Sequence, residues 1–155
     1  MASLPREIFG AIVRHTPLVS IDLILRDPQG HLLIGRRRNR PAMGTWFVPG
    51  GRIAKDERIA EAFARIAREE LGIQPPLTAA RLLGVFEHFY PDNALDQPGF
   101  GTHYVVLAYE ISVEAGIAAF PPDQHSAYRW MSDAHALADP QVHENTKAYC
   151  RRVAQ

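Results

Sequence analysis

Residues 50–73, GGRIAKDERIAEAFARIAREELGI, combine a glycine pair with two adjacent carboxylates, Glu69 and Glu70. At about 100° per residue, one stripe of a helix here contains Ile59, Phe63, Ile66 and Glu70. A carboxylate that faces a core is costly unless it is paired or bound to a cation. The segment therefore predicts either an ion pair of Glu70 with Arg65 or Arg68, or a ligand for Mg²⁺ or Mn²⁺, which prefer oxygen donors.

A cluster of arginines precedes this helix. It consists of Arg36, Arg37, Arg38, Arg40 and Arg52. Gly50 and Gly51 let the backbone approach a ligand closely, and arginine can bind phosphate through two parallel hydrogen bonds. The cluster predicts a local anion site with Arg52 as the better phosphate ligand, whereas two of the arginines at 36–40 fit a solvated strand edge.

The spacing within residues 51–73 resembles the box of the Nudix hydrolases. Its matching positions are Gly51, Glu57, Arg65, Glu69, Glu70, Gly72 and Ile73. The family normally has a glutamate directly after the arginine and then an aliphatic residue, whereas this chain has Ile66 and Ala67. The lost acid would lie one turn before Glu70, so the departure disfavours a cluster of several metal ions at a diphosphate.

The resemblance extends to a branch of that family, the GDP-mannose mannosyl hydrolases, over residues 9–150. The segments that carry it are PLVSIDLIL, NRPAMGTWFVPGGR, EHFYPDN, THYVVLAY, PPDQHSAYRWMS and VHENTKAY. The likeness implies a Nudix-type mixed sheet between helices, in an α+β fold with an N-terminal helix. It also implies cleavage of the sugar C1–oxygen bond with inversion, a divalent metal, and a homodimer.

The resemblance also implies a role for individual residues. Glu70, the Gly50 carbonyl and the Gln124 side chain would hold Mg²⁺, for which Mn²⁺ can substitute. His125 would be the general base, a role that suits a group titrating near neutral pH. Without the resemblance, a single histidine in a loop more often lies at the surface.

The remaining assignments concern the substrate. Arg37 and Arg52 would neutralise the departing diphosphate, and Tyr104 would donate a hydrogen bond to it. Asp22 and His88, polar residues in apolar strands, would contact the sugar or orient the base, and the backbone around Leu4 together with Phe9 and Arg65 would contact the nucleotide. Core packing is the alternative for Tyr104 and Phe9, and an ion pair with Glu61 or Glu69 is the alternative for Arg65.

The elements that position these residues follow from local patterns. Ser3 and Pro5 predict the start of a helix, and Asp27, Pro28 and Gly30 predict a hairpin. The segments TWFVPGG, RLLGVFEHFY, THYVVLAYEISV and YRWMS are strand candidates, and NTKAYCRRVA is a helix candidate. The central helix is expected from Asp56, its N-cap, to Leu71, with Gly72 after its end. The polar segment PDNALDQPGFG is a candidate lid or binding loop.

Composition limits the other classes of function. Lys+Arg and Asp+Glu are 17 each in 155 residues, which argues against bulk binding to nucleic acid or to a membrane. The single Cys150 excludes an internal disulfide and a cysteine-based metal site. We expect one domain, 1–155, in the cytoplasm, with a nucleotide sugar as its small-molecule partner. A Nudix pyrophosphatase that uses Glu69 and Glu70, and a sensor of nucleotide sugars without catalysis, are the alternatives.

Overall fold

The computed structural model describes residues 4–114, 120 and 125–153. The helices are α1 (Arg6–His15), α2 (Ile59–Leu71), α3 (Asp133–Ala138) and α4 (Glu144–Val153), with a 3₁₀ helix at Leu77–Ala79. The strands are β1 (Leu18–Arg26), β2 (Leu32–Arg37), β3 (Trp46–Phe47), β4 (Gly50–Arg52), β5 (Ala80–Tyr90), β6 (Thr102–Ser112) and β7 (His125–Met131). Within the described residues, no helix is long and apolar enough to cross a membrane.

The strands form one mixed sheet in the order β3-β2-β1-β6-β5. The central pair β1–β6 is parallel, whereas the other pairs, including β4 on β1 and β7 on β2, are antiparallel. The expected α+β fold is therefore confirmed, with helices on a mixed sheet and a helix at the N-terminus. Asp27 forms the predicted hairpin turn, because its Oδ1 accepts the N–H groups of Gln29 and His31.

Strand β1 is almost continuously buried because both faces of the sheet are covered. Ile21 and Leu23 pack with Phe63 of α2 on one face. Ile24 faces the other way and belongs to the cluster that contains Tyr149 of α4. Alternate residues of one strand are thus held between two helices, and this arrangement fixes the polar Asp22 on the α4 side.

The central helix begins later than the sequence predicts. It starts at Ile59, and Asp56 lies in a left-handed turn with φ 65° instead of capping the helix. Ile59, expected on the buried stripe, is 44% exposed. The C-terminal prediction is confirmed, because Gly72 is left-handed with φ 67° and donates its N–H to the Arg68 carbonyl.

Other boundaries also differ from expectation. The TWFVPGG segment forms two short strands, β3 and β4. Pro49 lies between them and has no N–H that could donate a hydrogen bond to a neighbouring strand. Strand β7 begins at His125, earlier than the predicted strand at Tyr128, so His125 is part of the sheet and not of a loop. Helix α3 was not predicted, and its N-cap Ser132 accepts the N–H of His135.

The polar segment between β5 and β6 is held by the side chain of Asn93, which is 1% exposed. Its Nδ2 donates to the carbonyls of Gln97, at 2.8 Å, and Phe100, at 2.9 Å. Its Oδ1 accepts the N–H groups of Leu95 and Gln97. One asparagine therefore uses both ends of its amide to fix this loop.

Candidate active site

A cavity of about 380 Å³ opens between α1, β1, β4, the end of α2 and β5. Most of the residues assigned from the sequence line it: Phe9, Asp22, Arg37, Gly50, Arg52, Arg65, Glu70, His88 and Tyr104. These residues come from positions far apart in the chain, and the sheet brings them together. Among the described residues, Leu4 and His125 do not line the cavity, and Gln124 lies outside the described residues.

The glycine pair lets β4 lie directly against β1 and α2. A Cβ atom at Gly50 would come within 2.5 Å of Asp22 Oδ1 and 2.6 Å of the Ile21 carbonyl oxygen. A Cβ atom at Gly51 would lie 3.1 Å from Cγ1 of Ile66. The two glycines therefore serve close backbone packing at the cavity edge. The approach of this backbone to a ligand, which the sequence predicts, stays a prediction.

Glu70 is the buried carboxylate of the site, with 8% of its surface exposed. Burial raises its pKa to about 7, although the Arg37 guanidinium opposes this increase. The ion pair with Arg65 or Arg68 that the sequence allowed does not form. The nearby titratable group is His125, whose Nδ1 lies 4.0 Å from Glu70 Oε2, but its lowered pKa leaves the imidazole neutral at pH 7.

A cation fits beside Glu70, because it would supply the positive charge that this buried carboxylate lacks. Within residues 4–114, 120 and 125–153, no three histidine, cysteine, aspartate or glutamate side chains are grouped closely enough to hold a metal ion. The described side chains would therefore hold a metal mainly through Glu70, with the Gly50 carbonyl at the same edge of the cavity, and oxygens of a substrate and of water would complete the ligands.

Ile66 belongs to the core and not to the cavity. It is 1% exposed, packs against Gly51, and lies in the cluster of Phe63 and Leu71. The position that carries an acid in the usual box is therefore filled here by apolar packing. Helix α2 presents Glu70 and the half-exposed Glu69 to the cavity.

Arg65 is held by the loop that precedes its own helix. Its Nε and Nη2 donate to the two carboxylate oxygens of Glu57, at 2.7 and 2.8 Å. Nη2 also donates to the Arg52 carbonyl at 2.9 Å, and Nη1 donates to Glu69 at 3.0 Å. Glu57 Oε2 in turn accepts the N–H of Ala54. The ion pair with Glu69 was one of the alternatives from the sequence, and the bidentate pair with Glu57 identifies the larger structural role.

A buried network joins Asp22 and His88 behind the cavity wall. The Tyr149 hydroxyl donates to Asp22 Oδ2 at 2.6 Å and lies 3.3 Å from His88 Nε2. Burial raises the pKa of Asp22 to about 7, against the hydrogen bond from Tyr149. Burial, with a smaller contribution from His143, lowers the pKa of His88 to about 4. His88 is therefore neutral at pH 7.

The arginine cluster separates into two groups. Arg36 and Arg38 are exposed, as expected of a solvated edge. Arg37 and Arg52 line the cavity, and the Arg52 guanidinium lies 4.4 Å from the centre of the Phe9 ring, in a cation–π contact. Arg40 also lines it and pairs with aspartates of the β5–β6 loop.

Tyr104 and His125, two further residues assigned from the sequence, are both largely buried. Tyr104 lines the cavity, and burial raises the pKa of its hydroxyl. His125 is 4% exposed, and its Nδ1 lies 3.2 Å from the Tyr128 hydroxyl. Burial lowers the pKa of His125 to about 4, and its Nε2 has no hydrogen-bond partner among the described residues.

Tyr149 and Tyr90 were not identified as site residues from the sequence. Tyr90 lines the cavity, and Tyr149 links Asp22 to His88. The signal for Tyr149 was a hydroxyl on the apolar face of the last helix, which requires a buried partner. The sequence does not reveal which partner it has, because Tyr149 and Asp22 are 127 residues apart.

Comparison with known proteins identifies relatives of the chain. A family model described as a NUDIX domain matches residues 16–151. The low-salt glycan biosynthesis protein Agl8 of Haloferax volcanii is 43% identical over 112 residues, which cover 72% of this chain and 69% of that protein. An ADP-ribose pyrophosphatase of Methanocaldococcus jannaschii is 37% identical over 100 residues, or 64% of this chain and 53% of that protein. The crystal structure of a MutT NUDIX hydrolase from Burkholderia pseudomallei matches with a TM-score of 0.71 and 30% identity, over 90% of this chain and 99% of that one.

Proposed function

Because the chain belongs to the Nudix family, we propose that it is a Mg²⁺-dependent hydrolase of GDP-mannose, with GDP-glucose as a second substrate. Water attacks sugar C1 from the face opposite GDP, and the products are GDP and the free sugar with inverted configuration. The name of the 43% identical relative, a glycan biosynthesis protein, supports a nucleotide sugar as the substrate. The proposal includes one domain over residues 1–155, a homodimer and a cytoplasmic location.

The position of Ile66 carries this proposal. A second carboxylate there would lie one turn before Glu70 and could hold further metal at a diphosphate. Ile66 is instead 1% exposed in the core. The helix is thus better suited to hold the diphosphate as a leaving group than to activate water against phosphorus.

The cavity contains several groups that can stabilise GDP as the leaving group. Arg37 and Arg52 can neutralise the charge that grows on GDP as the C1–oxygen bond breaks, and the Tyr104 hydroxyl can donate to the leaving oxygen. A divalent cation held at Glu70, of the kind that Nudix hydrolases generally use, would supply further positive charge at the diphosphate.

His125 is the proposed base that takes the proton of the attacking water. Its lowered pKa keeps the imidazole neutral at pH 7, and its Nε2, which is buried, has no hydrogen-bond partner among the described residues. Asp22 is the competing base, because its carboxylate lines the cavity whereas the His125 ring does not. His125→Gln should lower kcat by about 10²–10⁴-fold. A larger loss in Asp22→Asn, with near-normal kcat in His125→Gln, would transfer the role to Asp22.

Hydrolysis in ¹⁸O-labelled water identifies the bond that breaks. Label in the free sugar, with GDP as the unlabelled product, supports the proposal. Label in a phosphate, or release of GMP, contradicts it. Phosphorus NMR of the products distinguishes GDP from GMP in the same sample, and the anomer formed first distinguishes inversion from retention.

Pyrophosphatase activity is the second candidate. Glu69 and Glu70 both line the cavity, and one relative is named an ADP-ribose pyrophosphatase, although the chain spans only about half of that relative. This activity would cleave the diphosphate and release a nucleoside monophosphate. Release of AMP from ADP-ribose at a higher kcat/KM than GDP from GDP-mannose would favour it.

A further inference from the structure

The network of Asp22, His88 and Tyr149 extends the site behind the cavity wall. We propose that Tyr149 is a positioning residue: its hydroxyl fixes the Asp22 carboxylate and the His88 ring in the orientations with which they contact the sugar. This inference rests on the proposed function, because it assigns the side of the cavity that holds Asp22 and His88 to the sugar. Tyr149 itself does not line the cavity, so it acts through these two residues.

The single proton of the Tyr149 hydroxyl gives the network a direction. While Asp22 is ionised, this proton is donated to its Oδ2 at 2.6 Å, so the hydroxyl oxygen accepts from His88. The bond at 3.3 Å therefore requires the proton of the neutral His88 ring to be on Nε2. Nδ1 is then left as an acceptor, and one hydroxyl selects both the carboxylate rotamer and the imidazole tautomer.

Asp22 is confined from two sides. Tyr149 holds Oδ2, and Oδ1 lies against Gly50, where a Cβ atom would come within 2.5 Å of it. The carboxylate thus has little freedom to turn, although it lines the cavity. A sugar hydroxyl that approaches it would find an acceptor already in place, which reduces the entropy lost on binding.

The position of the Tyr149 hydroxyl is set by packing. The side chain is 0% exposed, and its ring makes an edge contact with Phe86 at a centroid distance of 4.8 Å. Helix α4 is tied to the β3–β4 connection, because Thr146 Oγ1 accepts the N–H of Val48. A residue anchored in this way can impose a geometry on the cavity wall instead of following it.

Tyr149→Phe tests the inference, because it removes only the hydroxyl and retains the ring that packs on Phe86. We expect kcat for GDP-mannose to fall by about 10- to 100-fold, while the Kd of GDP, which lacks the sugar, changes less than about 2-fold. Tyr109→Phe is the matched control, since Tyr109 is a buried tyrosine that packs on Phe63 in the other cluster. Equal losses in both variants, or an equal loss of GDP binding, would overturn the positioning role.

The tautomer of His88 gives a readout that needs no substrate. In ¹⁵N NMR of the substrate-free protein above pH 7, where the Asp22 carboxylate is ionised, we expect the proton on Nε2. In Tyr149→Phe under the same conditions we expect a shift toward the mixture of tautomers found in free imidazole. If Tyr149→Phe does not fold, the wild-type spectrum still decides: a slowly exchanging hydroxyl proton on Tyr149 with the Nε2–H tautomer supports the inference, and the Nδ1–H tautomer overturns it.

The two proposals can fail separately. Label from ¹⁸O water in a phosphate would contradict the proposed function, yet the tautomer of His88 would still show whether Tyr149 holds that ring. Cleavage at C1 with unchanged kcat in a folded Tyr149→Phe variant would remove the positioning role and leave the proposed function intact.

Discussion

Replacement of Arg65 by methionine should destabilise the protein before any effect on substrate is considered. Arg65 and Glu57 have side chains that are 14% and 15% exposed, and two hydrogen bonds of 2.7 and 2.8 Å join them. Breaking a buried pair costs about 3–5 kcal/mol, because a charge is left without a partner. Some exposure remains here, so we expect a loss of about 3 kcal/mol in the free energy of unfolding.

The contribution of Glu69 to this arrangement should be small. Its side chain is 46% exposed, and exposed pairs of this kind contribute less than about 1 kcal/mol. Glu69→Gln is therefore the matched control on the same helix. The double-mutant cycle of Arg65→Met with Glu57→Gln should give a coupling energy of about 2 kcal/mol, since each single variant already loses the pair.

The dependence on pH provides a second check of the Arg65–Glu57 pair. The hydrogen bonds from Arg65 hold the pKa of Glu57 below its ordinary value of 4.5. A lowered carboxyl pKa stabilises the folded state above the unfolded pKa, and this stabilisation is lost as the pH falls through the folded pKa. The stability difference between wild type and Arg65→Met should therefore shrink below pH 4.5.

Urea unfolding at pH 7 and at a series of lower pH values measures these quantities. A coupling energy near zero, or a loss in Glu69→Gln as large as that in Arg65→Met, would refute the assignment of Arg65 to the loop. A rise in KM for GDP-mannose with unchanged stability would instead make Arg65 a substrate ligand, which the sequence allowed.

Three further predictions concern the metal helix and the buried network. Ile66→Glu should lose about 4 kcal/mol of stability through lost packing and a buried carboxylate. Mg²⁺ should raise the Tm of Ile66→Glu more than the Tm of the control Ile66→Gln. Equal Tm shifts in the two variants would contradict the prediction. Glu70→Gln should raise the Mg²⁺ concentration needed for half-maximal activity, and an unchanged value would move the metal elsewhere. Burial lowers the pKa of His88 from 6.5 to about 4. As the pH falls, His88 therefore takes up its proton in the unfolded chain at a higher pH than in the folded protein. Stability should fall by about 2–3 kcal/mol from pH 6.5 to 4, and urea titrations of His88→Gln should lack this component.

The two ends of α2 show what local sequence can and cannot predict. Gly72 ends the helix because a left-handed residue without a side chain is favourable at that position, and this is a local property. The start was predicted at Asp56 but lies at Ile59. Glu57 accepts the Ala54 N–H and pairs with Arg65, and these contacts keep the preceding turn out of the helix. A tertiary contact therefore overrides the capping preference of aspartate.

The candidate site also contains one feature that local sequence predicts and one that it does not. Motif spacing placed Glu70 on the buried side of α2, since helical period alone determines that direction. The burial of His125 could not be read from the sequence, because it depends on its pairing with Arg37 of β2 and on Gly35. A Cβ atom at Gly35 would lie 2.5 Å from the His125 ring. The space for the ring is thus provided by a glycine on a strand distant in sequence.

Gly51 and Ile66 together give a physical reason for the altered box. Because Gly51 has no side chain, the backbone of β4 lies on α2, and Ile66 fills the space beneath it at 3.1 Å from the site of a Cβ. A glutamate at this position would bury a carboxyl group without a partner, which costs stability whether it stays charged or takes up a proton, unless a metal ion were bound beside it. The apolar residue removes that dependence, so α2 can pack without metal while Glu70 and the half-exposed Glu69 face the cavity. The change that weakens a multi-metal site is therefore also the change that separates the folding of this helix from metal binding.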